Sequence, residues 1–126
     1  MDRPGDGLAG RRVLVIEDES LVAMLIEDVL LDMDCEVAGL ASRLHDAMEK
    51  AKSLAFDVAI LDVNLNGKET FPIAEVLLER GIPFVFATGY GTAVLPGPLQ
   101  NVPVLHKPFQ QRDLETALRT ALIVKT

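Results

Sequence analysis

The sequence predicts an α/β fold: a doubly wound, five-stranded parallel sheet in the order 2-1-3-4-5, with an irregular or shortened fourth helix. Three observations predict it. Five short β-prone runs, at 12–16, 35–38, 56–61, 83–87 and 102–105, start roughly 20 residues apart with helical patterns between them. Three of these runs, Val13-Leu14-Val15-Ile16, Val58-Ala59-Ile60-Leu61 and Phe84-Val85-Phe86-Ala87, are continuously apolar, as strands covered by helices on both faces are. Polar residues then gather just after the strands: Glu17-Asp18-Glu19 after the first, Asp62 after the third, Thr88 after the fourth and Lys107 after the fifth. In a parallel sheet these positions share one edge, where such folds place their sites.

The elements can be taken in order. Residues 1–10 read as a flexible leader and 11–126 as one domain. Ser20 is placed to cap a first helix reaching Leu31, with Leu21, Val22, Leu25, Ile26 and Val29 on one broad apolar face. Ser42 is placed to cap a second helix carrying Leu44, Ala47, Met48 and Ala51. Pro72 suits the first turn of a third helix, where a missing amide costs nothing, and Gly81 suits its end after Arg80. Gly91, Pro96, Gly97 and Pro98 leave little room for a regular helix between the fourth and fifth strands. The last helix is expected over 111–124, with Leu114, Leu118, Ala121 and Leu122 inward.

Composition narrows the class. At 126 residues, 49% hydrophobic and 25% charged, the chain suits one soluble domain with a real core. Its net charge of −7 excludes the basic surface that nucleic acid requires. No apolar run suggests a membrane span, and the first residues carry no signal segment, so a cytoplasmic location is expected. One cysteine, Cys35, excludes an intramolecular disulfide and reads as a small apolar filler near a strand.

Chemistry concentrates on the polar edge. Asp62 emerges from a buried strand, so its carboxylate is partly desolvated at the rim. With Glu17 and Asp18 it forms a negative patch that repels itself. A hard divalent cation resolves this, and Mg²⁺ suits a few carboxylates plus water. Glu19 reads instead as an acid at a helix start, favoured there by the dipole. Lys107 opposes the patch with a mobile positive charge, and Thr88 adds a hydroxyl. A carboxylate nucleophile, a metal, a hydroxyl and a lysine are the parts of a phosphoryl-transfer site, with an aspartyl-phosphate as product.

The order of motifs resembles a known family. Val-Leu-Val-Ile-Glu17-Asp18-Glu19, Ile-Leu-Asp62-Val-Asn64-Leu-Asn-Gly67, Ala-Thr88-Gly and Lys107-Pro108-Phe109 are similar to those of bacterial two-component response-regulator receiver domains, over roughly residues 11–124. The resemblance implies the flavodoxin-like receiver fold, with Asp62 as phosphoacceptor and Mg²⁺ bound by Asp18, Asp62 and the backbone carbonyl of Asn64, Glu17 acting through water. It implies that Thr88 and Lys107 bind the phosphoryl group and that Pro108 follows a cis bond. It also implies a histidine kinase or histidine phosphotransfer protein as donor, and a downstream protein or linked domain as output, in a monomer or weak dimer. The run Phe86-Ala87-Thr88-Gly89-Tyr90-Gly91 narrows the resemblance to the alphaproteobacterial "FAT GUY" receivers, often associated with general stress signalling.

Departures from the family pattern are informative. Receivers commonly carry an aromatic on the fifth strand three residues before the lysine, where this chain has Val104. Tyr90, the single tyrosine, is then the candidate switch, coupled to Thr88 through its flanking glycines; its plain alternative is a loop tyrosine packed on a helix. His45 and His106 lack partners at metal-ligand spacing and are assigned to packing or surface roles. Two competing classes stay in view. A haloacid-dehalogenase-type phosphatase needs a second Asp two residues after the nucleophile, where this chain has Asn64. A phosphorylation-independent binding module would not need Asp62 or Lys107, and both are present.

Overall fold

The hydrophobic runs become strands for the reason their pattern gives, since each must bury both faces. The computed structural model describes residues 8–89 and 95–123. Its elements are β1 (Arg12–Ile16), α1 (Ser20–Asp32), β2 (Glu36–Ala41), α2 (Leu44–Ser53), β3 (Val58–Asp62), a small hairpin of β4 (Asn64–Leu65) and β5 (Lys68–Glu69), α3 (Phe71–Arg80), β6 (Phe84–Thr88), a 3₁₀ turn at Gly97–Leu99, β7 (Val104–His106) and α4 (Gln111–Ile123). The main sheet is parallel in the order β2-β1-β3-β6-β7. Counting its five strands alone, this is the expected order 2-1-3-4-5, with the three continuously apolar strands at the centre.

Side-chain alternation along these strands feeds two cores. Val13, Val15, Val58, Ile60 and Val85 pack with Ile26 and Leu30 of α1 and Leu114 and Leu118 of α4. Leu14, Ile16, Ala59, Leu61, Phe84 and Phe86 pack on the other side with Ala47 and Ala51 of α2 and Ile73 and Leu77 of α3. Gly81 ends α3 in the left-handed conformation at φ 70°, as expected of a glycine there.

Other local expectations are corrected. Ser20 does not cap α1. It is the first helical residue, Glu19 holds the cap position, and no side chain bonds the free amides. Likewise Arg43, not Ser42, precedes α2, without a side-chain cap. Leu21 and Leu25 do not face the core of α1: they are 80% and 51% exposed, because only the stripe of Val22, Ile26, Val29 and Leu30 meets the sheet. β2 continues through Gly39 to Ala41, its pairing with β1 slipping by one residue between Val13 and Leu14. Residues 1–7 of the expected leader lie outside the described residues, and packing reaches into its last three. Leu8 is buried, its carbonyl accepts from Arg11 N and from Cys35 Sγ at 3.3 Å, and Gly10 N donates to Asp34 O, so packed structure begins no later than Leu8. Cys35 is itself buried there as a filler. Between β6 and β7 the described residues hold only the 3₁₀ turn, in keeping with an irregular fourth helix. Among the described residues no helix is long and apolar enough to cross a membrane.

Candidate functional site

The site follows from strand register. Ile16 pairs with Leu61, so the next residues, Glu17 and Asp62, leave adjacent strands side by side. The same alternation that sends Val13 and Val15, and Val58 and Ile60, toward α1 and α4 continues to Glu17 and Asp62. Both carboxylates are almost fully buried, at 3% and 5% exposure. Asp18 completes the group, and carboxylate oxygens of Glu17, Asp18 and Asp62 all lie within 4.8 Å of one another.

Lys107 is the counter-charge. Its Nζ lies 2.8 Å from Glu17 Oε1, 3.1 Å from Asp62 Oδ2 and 3.5 Å from Glu19 Oε1. Its backbone amide donates to Thr88 O at 2.8 Å, which fixes the lysine beside the end of β6. Thr88 is buried at that strand end, and the Lys107–Pro108 peptide bond is cis. One ammonium is thus shared by three carboxylates. Burial pushes the Glu17 carboxyl up to about 7, against the pull of Lys107 and the Glu19 amide and with help from the Asp62 charge. Burial lowers the Lys107 ammonium, but the bonds and charges of Glu17 and Asp62 outweigh it and hold the group at about 12.

The loop after β3 shapes the rest of the site. Asn64 N donates to Asp62 Oδ1 at 3.2 Å, and Asn66 N donates to Asp18 Oδ2 at 2.9 Å. Asn66 and Gly67 both have positive φ, 51° and 85°, so they form the tight turn of the β4–β5 hairpin. That hairpin was not anticipated, although Asn-Gly between short runs is its usual signal. Thr70 was missed as well. It is wholly buried, and its hydroxyl donates to Asp62 O at 2.6 Å and Val63 O at 3.2 Å. The only hint in the sequence is its place before Phe71-Pro72, where a helix begins. Tyr90, the candidate switch, lies outside the described residues. Val104 sits half-buried against the second core, and His45 and His106 are exposed.

A cleft of about 670 Å³ opens above these groups, lined by Asp18, Asp62 and Lys107 on its polar side and by Val22, Leu25 and Phe109 on its apolar side. The donor set fits a hard divalent cation: three carboxylates, with Glu17 Oε1 buried and lacking any hydrogen-bond partner among the described residues beyond its charge contact with Lys107. Asp62 belongs both to this acidic group and to the set of carboxylates that Lys107 contacts.

Comparison with known proteins agrees with this geometry. The family model for the response regulator receiver domain matches residues 13–119. Transcriptional regulatory protein PdtaR of Mycobacterium tuberculosis is 30% identical over 121 residues, covering 93% of this chain but 59% of PdtaR. The chain therefore spans less than two thirds of that relative's length. Among solved structures, SdrG from Sphingomonas melonis Fr1 is 39% identical with a TM-score of 0.80, covering 93% of this chain and 98% of SdrG. The receiver domain of the response regulator PhyR from Erythrobacter litoralis is 27% identical with a TM-score of 0.81, covering 95% of both chains. These two neighbours accord with the narrower resemblance carried by Phe86–Gly91. Sheet order, acidic pocket and opposing lysine thus have one common explanation: the chain belongs to the response regulator receiver domains of two-component systems.

Proposed function

We propose that this receiver domain accepts a phosphoryl group on Asp62 in a Mg²⁺-dependent reaction, and that the charged form acts on a protein partner. The observation that carries the reading is the position of the Asp62 carboxylate, buried at the end of β3, grouped with Asp18 and Glu17 and with Lys107 Nζ at 3.1 Å. Asp18, Asp62 and the Asn64 carbonyl would hold the cation, with Glu17 acting through water. When bound, Mg²⁺ supplies positive charge to the phosphoryl oxygens and relieves the repulsion among the acids.

The transfer balances without a further reagent. An Asp62 oxygen attacks phosphorus, an O–P bond forms, and the bond from phosphorus to the donor breaks. With a phosphohistidine donor, the imidazole leaves with the bond's electrons and takes a proton; with acetyl phosphate, acetate leaves. Lys107 neutralises developing charge on the equatorial oxygens, and Thr88 donates a hydrogen bond to one of them. Asn64 offers no acid for turnover: its side-chain Oδ1 accepts from Gly67 N at 2.8 Å, and an amide cannot protonate a leaving group. This favours a phosphorylated signal carrier over a phosphatase.

In the same reading, the donor is a histidine kinase or histidine phosphotransfer protein in the cytoplasm, and the output is a separate protein or a linked domain. Tyr90 would take the switching role that Val104 cannot fill. Comparing Tyr90→Ala with wild type for phosphorylation rate and partner binding tests that role; both unchanged would end it. The main test is incubation with acetyl phosphate and Mg²⁺, followed by intact-mass analysis. One labile phosphoryl group, removed by base or hydroxylamine, absent from Asp62→Ala and absent with chelator, is the expected result. Continuous release of phosphate with turnover would favour the phosphatase, and no modification would favour an inert scaffold.

A further inference from the structure

Thr70 has no role in the mechanism above, yet among the described residues its hydroxyl is the side-chain donor to the backbone of Asp62. Its surroundings are specific. The residue is 0% exposed, and the hydroxyl donates at 2.6 Å to Asp62 O and at 3.2 Å to Val63 O. Its backbone amide donates to Val63 O at 3.0 Å, which closes the hairpin that follows β3. Its carbonyl accepts from Ile73 N and Ala74 N, which starts α3. Three segments that surround the site therefore meet at one buried residue, the hydroxyl holding β3 and the backbone holding the hairpin and α3.

Nothing in helix formation requires that hydroxyl. Thr70 is in the cap position of α3, but its side chain makes no capping bond to the helix. The hydroxyl turns back toward β3 instead. The atoms it holds are the peptide oxygens immediately before the segment that supplies Asn64 N to Asp62 Oδ1 and Asn66 N to Asp18 Oδ2. A shift of this hairpin would move the Asn64 carbonyl and reorient both carboxylates together. Reaction geometry is sensitive to displacements well below the size of an atom, and supporting hydrogen bonds around metal ligands tune affinity by roughly ten- to a hundredfold.

We propose that Thr70 is a positioning residue for phosphoryl acceptance, its buried hydroxyl locking the β3 terminus and the hairpin in the arrangement that presents Asp62 to phosphorus and the Asn64 carbonyl to the cation. The proposal rests on the phosphoacceptor reading of Asp62. Thr70 touches neither phosphoryl group nor metal; it acts through Asp62.

The test uses Thr70→Val, which keeps the branched shape and removes the hydroxyl, and Thr70→Ser, which keeps the hydroxyl and loses the methyl. Mg²⁺ affinity is measured by titration calorimetry. Phosphorylation by acetyl phosphate is followed at saturating and limiting donor, and thermal unfolding is recorded for each protein. Thr70→Val is expected to lower the saturated rate and the Mg²⁺ affinity by roughly tenfold each, with little change in the half-saturating acetyl phosphate concentration. Thr70→Ser is expected to restore both. A Thr70→Val protein that melts earlier but binds Mg²⁺ and reacts like wild type would overturn the proposal and leave a purely structural threonine. A serine variant as impaired as valine would overturn it too. If Thr70→Val does not fold, the wild-type hydroxyl proton decides by NMR. Slow exchange and a resonance that moves on adding Mg²⁺ with beryllofluoride support the proposal, and an unmoved resonance overturns it. Absence of any phosphorylation in wild type would instead remove the phosphoacceptor reading, so the two failures are separate.

Discussion

Two aspartates bracket β3, and their surroundings differ in one respect that separates structure from chemistry. Asp57, just before the strand, meets a matching partner. Its Oδ2 accepts from Arg12 N at 2.8 Å, Arg12 Nε lies 3.6 Å away, and Asp57 N returns a bond to Arg12 O. One acid faces one base, half in solvent, and the pair staples β1 to the start of β3. Asp62, at the other end, is buried among like charges and shares a single lysine with Glu17 and Glu19. A protein selected for stability alone would not leave that excess, because buried charges without matched partners are costly. Local charge imbalance, not acidity, marks the end of the strand proposed to take the phosphoryl group.

The sharpest way to break the comparison is to exchange a neutral group for each acid. Asp62→Ala should abolish the phosphoryl-dependent mass increase altogether, while Asp57→Ala should leave it at the wild-type level. A surviving phosphoryl group on Asp62→Ala, located by peptide mapping, would move the acceptor elsewhere. Removing the shared base comes next. Lys107→Ala leaves Glu17 buried at 1% side-chain exposure without its counter-charge, so the metal-free protein should lose about 2 kcal/mol, less than a fully enclosed pair because the lysine keeps a path to solvent. Mg²⁺ should recover part of that loss in urea denaturation. Equal loss with and without Mg²⁺ would argue against a cation among these acids. The effect at the quiet end is smaller. Asp57→Asn should cost roughly 0.5–1 kcal/mol, as expected of a half-exposed pair, with Mg²⁺ affinity unchanged.

The contrast also explains what the sequence could reveal. Strands β1, β3 and β6 were legible because burial on both faces demands unbroken apolar runs, and the order of the sheet followed from βαβ spacing. Glu17, Asp18, Asp62 and Lys107 were legible because acids and a lysine directly after such runs have one place to go. Gly81 was legible because its left-handed φ suits few other residues. The caps were not, because a serine near a helix start reports only a capacity to bond, and neither Ser20 nor Ser42 occupies the cap position. α1 is apolar around much of its circumference, so periodicity could not tell the stripe that meets the sheet from Leu21 and Leu25 beside it. β2 runs through Gly39, which reads as a breaker until the slipped register with β1 is seen. Thr70 was invisible for a different reason. Its partners are peptide oxygens of residues 62 and 63, and a backbone acceptor leaves no mark on the sequence.

A further effect is one of pH, and it sharpens the same contrast. Glu17 is raised from 4.5 to about 7, chiefly by burial. Between those values the folded, metal-free protein holds a proton that the unfolded chain has released, so the folded state binds more protons and stability falls as pH rises. The contribution of Glu17 is complete below about 4.5 and lost as pH climbs through about 7. Denaturation of metal-free protein at both ends of that pH range should therefore show the decline, and Glu17→Gln should flatten it because no proton is then exchanged. Saturating Mg²⁺ should also flatten or reverse the decline, since a cation beside Glu17 takes the place of the proton. A slope that persists unchanged in Glu17→Gln would assign the pH response to other groups and remove Glu17 from the account of charge imbalance at this end of β3.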